Sequence, residues 1–237
     1  MSDIAVFVPT YDGYADIWPI QAALWQRFWP EREWPVYWMS SGQSVPDIAM
    51  PLIAPALPRT EWGYAVEIAL NQIREPLILW WFDEIFPLSK IPNDLFLEAA
   101  KIMRTNNDIG IVQLTRYYYS SPNPTIGNFG DIPHETAGFC SAMPAIFRKE
   151  IALHLVKELR QSNWFEQQSA AVMLRDFPKV RSLASSKPMF KLCDNALLAG
   201  PWRSCAVKHL TELGIKVDFS IRGIAPGASD YMDGVTA

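Results

Sequence analysis

The sequence contains few features of an exported or disulfide-stabilised protein. Three of its 237 residues are cysteine, an odd number, and their spacing matches no zinc or redox motif. We therefore interpret Cys140, Cys193 and Cys205 as reduced, mostly buried thiols of a protein in a reducing compartment. The amino-terminal residues lack the basic and apolar regions of a signal peptide. Together these absences predict a cytoplasmic protein.

Long hydrophobic runs are also missing. A transmembrane helix needs ~20 consecutive apolar residues, and the longest candidate, residues 48–57, is interrupted by Pro51 and Pro55. The sequence therefore predicts no transmembrane segment, although it leaves peripheral membrane contact open.

Basic residues do not outnumber acidic ones. The chain has 21 Lys and Arg against 25 Asp and Glu, and its formal net charge is −4. Proteins that bind nucleic acid normally carry a basic face, and the sequence has no Lys/Arg cluster of that kind. We therefore expect no nucleic-acid partner. The sequence also lacks the glycine motifs of simple dinucleotide and P-loop proteins, and the signature motifs of α/β-hydrolases and zinc proteases.

The first half of the chain alternates apolar strand patterns with helical ones. Strands are predicted at residues 4–8, 36–39, 77–82 and 109–114, and helices at residues 17–28, 62–73 and 92–103, with Asp16 and Thr60 as caps. Residues 43–59 are proline-rich and are predicted to be irregular. This alternation predicts an α/β fold with a mostly parallel central sheet flanked by helices, and ligands bind such sheets at the carboxyl ends of the strands.

The second half is less regular. It is predicted to contain a long loop at 117–137, strands at 139–147 and 215–219, helices at 148–160, 164–174 and 201–213, and a disordered tail at 226–237. The ten tryptophans fall mostly in periodic stripes, which is typical of a core.

Two adjacent carboxylates, Asp83 and Glu84, follow the apolar strand at 77–82. Their oxygens suit Mg²⁺ or Mn²⁺, which also bind the oxygens of a diphosphate. The alternative is an ordinary turn with solvated acids, and the pair taken alone favours this alternative.

Polar residues also follow the first strand. Asp12 is a candidate acceptor for a nucleobase N–H, Tyr11 and Tyr14 are candidates for stacking on a ring, and Thr10 begins the same loop. A simple turn is the alternative. Both segments occupy strand ends, so they are expected to face one crevice.

Five segments together resemble a GT-A-type glycosyltransferase-like family found in bacterial surface-polysaccharide gene neighbourhoods. The resemblance covers residues 4–223, and it rests on the order of segments 12–18, 82–86, 141–150, 164–166 and 200–202. The chain departs from the family pattern where Glu84 replaces an aspartate and where no acid stands at position 85. The first departure leaves metal dependence open.

The resemblance implies a GT-A-like fold in a single domain, residues 1–225. Residues 1–115 would bind a nucleotide-sugar donor and residues 116–225 a glycan or lipid-linked acceptor. The carboxylates of Asp83 and Glu84 are the candidate ligands of a divalent cation, Mn²⁺ or Mg²⁺. Glu166, at the start of a predicted helix, is the candidate general base, and Glu135 is the reserve candidate. A sugar-nucleotide nucleotidyltransferase and a catalytically degenerate nucleotide-sugar-binding protein are the alternatives.

Overall fold

The computed structural model describes residues 3–115, 123–136, 138–141, 143–161, 165–187 and 189–225. Ten strands occur in this part of the chain. In chain order they are β1 (Ile4–Val8), β2 (Val36–Ser40), β3 (Met50–Ile53), β4 (Leu77–Trp80), β5 (Phe86–Pro87), β6 (Ile109–Gln113), β7 (Phe129–Ile132), β8 (Ala145–Arg148), β9 (Arg181–Ser185) and β10 (Leu192–Cys193).

Eight of these strands form one central sheet in the order β3-β2-β1-β4-β8-β6-β9-β7. Strands β8 and β7 are antiparallel to their neighbours, and the other pairings in the sheet are parallel. The predicted α/β fold with a mostly parallel sheet is therefore confirmed. Strands β5 and β10 pair separately as a small antiparallel ribbon.

Helices cover both faces of the sheet. They are α1 (Trp18–Phe28), α2 (Trp62–Gln72), α3 (Asn93–Thr105), α4 (Lys149–Glu158), α5 (Phe165–Asp176) and α6 (Ser204–Glu212). Helices α1, α3 and α6 contribute to the apolar cluster on one face, and α2, α4 and α5 to the cluster on the other. The five apolar residues of β1 alternate between the two clusters, which explains why this strand lacks a polar face.

Most of the tryptophans lie in the core, as their periodicity predicts. Of the tryptophans that the structure describes, seven are almost completely buried. Trp25 illustrates their packing, because its ring lies within 6 Å of the rings of Trp29, Trp38 and Trp81. Cys140, Cys193 and Cys205 are free and buried, as expected. Among the described residues, no helix is both long and apolar enough to span a lipid bilayer.

Several predicted elements of the second half are wrong. The strand predicted at 139–147 is shortened to β8, because the carbonyl oxygens of Gly138 and Phe139 accept hydrogen bonds from the Gln113 side chain instead. The stretch 215–219 is not a strand. It leads into a 3₁₀ turn at Phe219–Ile221.

Five strands occur where the sequence did not predict them, namely β3, β5, β7, β9 and β10. Strand β3 contains Pro51 and lies at an edge of the sheet, where a missing N–H donor is tolerated. The predicted helix caps are also wrong, since Ile17 and Glu61 occupy the cap positions and neither caps through its side chain. The predicted tail at 226–237 lies outside the described residues.

Candidate functional site

The chain changes direction across the sheet between β1 and β4. From β1 it passes to β2 and then β3 on one side, and it returns to place β4 on the other side of β1. Such a reversal separates the loops that leave the two adjacent strands and opens a crevice at their carboxyl ends, where open α/β sheets bind ligands. The loop after β1, residues 10–16, is called the donor loop below, after the nucleotide-sugar donor that the sequence analysis predicts there. Asp83 and Glu84 follow β4 at the same edge.

A buried hydrogen-bond network joins the two strand ends. The Thr10 hydroxyl donates to Oδ2 of Asp83, and Nε1 of Trp18 lies 3.0 Å from both that carboxylate oxygen and the Thr10 hydroxyl. Asp83 is 2% exposed and Thr10 is 4% exposed. Both residues were predicted to contact the ligand, but the structure buries them beneath the surface of the crevice. Their buried hydrogen bonds suit a structural role, in which they hold the donor loop in place.

Burial dominates the electrostatics of Asp83. Desolvation raises the pKa of its carboxyl group from 3.8 to about 7, although the hydrogen bonds from Thr10 and Trp18 and the charge of Arg222 act in the opposite direction. The protonated form is therefore favoured over a wider pH range than for an ordinary aspartate.

Asp12 connects the donor loop to the end of β2. Its Oδ1 accepts a hydrogen bond from the backbone N–H of Ser41 at 2.8 Å and lies 3.4 Å from the Ser40 hydroxyl. Within the described part of the chain its Oδ2 has no hydrogen-bond partner, and the side chain is partly exposed. Asp12 therefore uses one oxygen for the fold, and its other oxygen has no partner among the described residues.

The two tyrosines of the donor loop lie side by side. Their ring centroids are 4.8 Å apart, and Tyr11 is 57% exposed. The Tyr11 ring packs so closely on Gly13 that a Cβ atom at that position would overlap it. Burial and the nearby charge of Glu84 raise the pKa of Tyr14 to about 12. Tyr11 thus offers an exposed aromatic face beside the carboxylate of Asp12.

Glu84 differs from its neighbour because it is partly exposed. Its backbone carbonyl accepts a hydrogen bond from the N–H of Ala196, which follows β10. The described residues contain no group of three or more His, Cys, Asp or Glu side chains able to hold a metal ion. A divalent cation would therefore fit here only with one or two carboxylates as protein ligands and with substrate oxygens completing its shell, an arrangement common for Mg²⁺.

The two candidate bases lie at opposite edges of the sheet. Glu166 occupies the second position of α5. One turn later along α5, the Ser169 hydroxyl donates to the carbonyl oxygen of Cys140 at 3.5 Å. The preceding residue, Phe139, accepts a hydrogen bond from the side chain of Gln113, which is the last residue of β6. The first turn of α5 therefore begins at the edge that carries the donor loop.

Glu135 lies elsewhere. It follows Ile132 of β7, which pairs with Ser182 at the start of β9, and Nε2 of the neighbouring His134 lies 2.8 Å from the carbonyl oxygen of Val180. This is the amino edge of the parallel strands. The structure therefore does not bring Glu135 together with the other candidate residues. Asn163 and Trp164, which precede α5, lie outside the described residues.

Sequence patterns missed three residues of the site. Trp18 was treated as part of a helix, Ser41 as a strand end, and Arg222 was not considered. Trp18 lies two residues after Asp16, the predicted cap, and this spacing gave only a weak signal of a buried N–H donor. Arg222 gave none, because its contacts are to residues about 200 positions away.

Comparisons with known proteins identify the fold. No protein-family model matches the sequence, and no match is found among curated proteins. The S. aureus TarS structure is similar with a TM-score of 0.51 at 13% identity, covering 79% of this chain and 36% of that one. The mannosyltransferase PcManGT from Pyrobaculum calidifontis, solved with GDP-Man and Mn²⁺, gives 0.53 at 15% identity, covering 91% of this chain and 65% of that one.

Both of these proteins are GT-A glycosyltransferases. At such low identity the likeness establishes the fold, and the chain therefore has a GT-A-type fold. It spans about a third of the TarS chain and just under two thirds of the mannosyltransferase chain.

Proposed function

We propose that this chain is a glycosyltransferase that moves a sugar from a nucleoside diphosphate donor to a hydroxyl group of an acceptor. One observation carries the proposal. The polar residues that follow β1 and β4 meet at the point where a GT-A-type sheet reverses its strand order. This is the position at which such a sheet binds its ligand.

The nucleoside would lie against the donor loop. Tyr11 offers an exposed ring for stacking, and Oδ2 of Asp12 offers an acceptor for a base or ribose donor. The diphosphate would then extend toward Glu84. Thr10 and Asp83 support this surface from below and hold the ends of the two strands together.

The divalent cation would be held by Glu84 and by the diphosphate oxygens. When bound, it would neutralise charge that develops on the leaving nucleoside diphosphate. Asp83 accepts hydrogen bonds from Thr10 and Trp18. Its proposed role is therefore to fix the turn that carries Glu84.

The acceptor would approach from the side of α5. Glu166 would take the proton of the attacking hydroxyl, which suits an inverting reaction, in which the base acts on the side opposite the leaving group. A glycan or lipid-linked acceptor is proposed, in surface polysaccharide or glycan assembly.

The activity is tested with purified protein, a panel of nucleoside diphosphate sugars and Mn²⁺. A thermal-shift screen selects the donor, because a ligand that binds only the folded state at a hundred times its Kd stabilises it by ~2.7 kcal/mol. Chromatography should then show release of nucleoside diphosphate together with glycosylated acceptor. Formation of pyrophosphate from a sugar phosphate and a nucleoside triphosphate would instead identify a nucleotidyltransferase. Binding without turnover would identify a degenerate binding protein.

The proposed cation site predicts a specific effect of Glu84→Gln. This variant should lose the part of nucleoside diphosphate stabilisation that depends on Mn²⁺, because an amide oxygen is a weaker ligand than a carboxylate. Binding of the nucleoside alone should remain. Isothermal titration with and without EDTA measures both quantities. Glu33→Gln is the matched control, since Glu33 is exposed and precedes β2 at the opposite edge of the sheet. A Mn²⁺ effect that persists in Glu84→Gln would remove Glu84 from the cation site.

The proposed base contact is tested at Asp12. Asp12→Asn keeps an oxygen that can accept from Ser41 N–H but replaces Oδ2 with a donor. The nucleoside diphosphate whose base or ribose donates to Asp12 should bind roughly tenfold to a hundredfold more weakly, as expected for a hydrogen bond to a charged group. Affinities for a panel of nucleoside diphosphates provide the measurement. Equal weakening across the panel would indicate a change in the loop and not the loss of a base contact.

A further inference from the structure

Arg222 joins the carboxyl-terminal part of the described chain to the donor loop. Its Nε donates to Oδ2 of Asp16 at 2.7 Å, and its Nη2 donates to Oδ1 of the same carboxylate. The same Nη2 donates to the carbonyl oxygen of Gly13 at 2.8 Å. The guanidinium carbon lies 4.8 Å from the centroid of the Tyr14 ring. One side chain therefore contacts the donor loop at three positions.

The backbone that carries Arg222 is itself fixed. The N–H of Trp202 donates to the carbonyl oxygen of Gly223 at 2.9 Å, and the N–H of Ala225 donates to the carbonyl oxygen of Trp202 at 2.9 Å. Trp202 is 1% exposed, and its ring lies 5.4 Å from the ring of Phe219 and 6.3 Å from that of Phe86 in β5. Arg222 thus extends from a packed anchor toward the donor loop.

In the outer part of the donor loop, Tyr14 and Ala15 are partly buried against the apolar core. The 3₁₀ turn at Asp12–Tyr14 contains no buried residue, and no side chain caps its start. Asp12 ties one end of the turn to β2, and the Thr10 network ties the start of the loop to β4. Gly13 and Asp16, which complete the loop, are bonded by Arg222.

We infer that Arg222 is a positioning residue of the donor site, which holds the donor loop in the shape that presents Tyr11 and Asp12 to the nucleoside. The inference rests on the proposed function. It also makes Arg222, which lies far from the donor loop in sequence, part of the donor site. We assign Arg222 a positioning role because its Nε and Nη2 donate hydrogen bonds to the donor loop and its side chain is only 12% exposed.

The test measures affinities of wild type and variants for a nucleoside, its monophosphate and its diphosphate, using the base selected by the thermal-shift screen. Arg222→Met should weaken all three ligands by a similar factor, on the order of tenfold. Arg222→Lys should not restore affinity, because an ammonium group cannot reproduce the bidentate contact with Asp16. Asp16→Asn should reproduce the Arg222→Met result, and it carries the test if Arg222→Met fails to fold.

Asp218→Ala is the matched control. Oδ1 of Asp218 accepts from the N–H of Ser220 and caps the turn that precedes Arg222, away from the donor loop. This variant should keep wild-type affinities. A loss that grows with each phosphate and is restored by lysine would assign Arg222 a simple charge role and overturn the inference. Unchanged affinities in Arg222→Met and Asp16→Asn would also overturn it. Failure of the wild-type protein to bind any nucleotide would overturn the proposed function as well.

Discussion

Glu166→Gln is expected to lower the rate of sugar transfer by ~10²–10⁴ and to leave donor binding intact, because general-base assistance typically contributes a factor of this size. Glutamine keeps the shape of the side chain and removes its basicity. The rate is measured as glycosylated acceptor formed at saturating donor, and donor affinity is measured separately by titration. The backbone position of Glu166 supports the prediction, since α5 begins at the edge of the sheet that carries the donor loop.

The chain offers a matched control for this substitution. Glu150 occupies the second position of α4, as Glu166 does in α5, but α4 begins at the opposite edge, where the N–H of Lys149 donates to the carbonyl oxygen of Pro76. Glu150→Gln therefore also removes an acid from the start of a helix, but this helix begins far from the proposed donor site. It should retain a normal rate. A normal rate in Glu166→Gln would exclude Glu166 as the base and favour a donor-assisted retaining mechanism.

Asp83→Asn is expected to change the dependence of stability on pH. The folded protein binds the proton of Asp83 more tightly than the unfolded chain does, because burial raises its pKa from 3.8 to about 7. The stabilisation from this proton is fully present below pH 3.8 and is lost as pH rises toward 7. One pKa unit corresponds to about 1.4 kcal/mol, so the loss approaches about 4 kcal/mol for the full shift.

The measurement is the free energy of unfolding from denaturant titrations at several pH values between 4 and 8. The difference between wild type and Asp83→Asn should move in favour of the variant as pH rises. Asp131→Asn is an informative control, because hydrogen bonding from Arg181 lowers the pKa of Asp131. Its contribution to stability is lost only as pH falls below 3.8, so the difference between wild type and Asp131→Asn should stay nearly constant between pH 4 and 8. A pH-independent difference between wild type and Asp83→Asn would contradict the raised pKa.

The fold was predictable where a buried strand is apolar along its whole length. Strand β9 is also buried, but it contains an arginine and two serines and was not predicted. Strands β1 and β4 are continuous apolar runs between helices, and both were predicted at nearly their observed bounds. Strands β3 and β7 lie at the two edges of the sheet, where a proline or a polar residue is tolerated, and their sequences therefore resemble loops. The apolar stretch at 215–219 resembles a strand in sequence, yet it leads into a 3₁₀ turn.

The types and sequence positions of several candidate site residues were predictable, but the role of each residue was not. Asp83 and Glu84 are adjacent acids in sequence, and only the fold shows that the first is buried against Thr10 and the second is partly exposed. Burial of one carboxylate depends on Trp18 from a different element. The contacts of Arg222 depend on where the chain returns after α6, which no local pattern encodes.

The position of β8 has a consequence for folding during synthesis. Residues 145–148 lie between β4 and β6 and form the bridge between the two sides of the sheet. A ribosome that has made residues 1–115 has released β4 without its second neighbour and β6 without either of its neighbours. Exposed strand edges of this kind favour aggregation. We therefore expect the nascent chain to depend on protection by chaperones until both β8 and β9 have emerged, and the fragment 1–115 to aggregate when it is expressed alone.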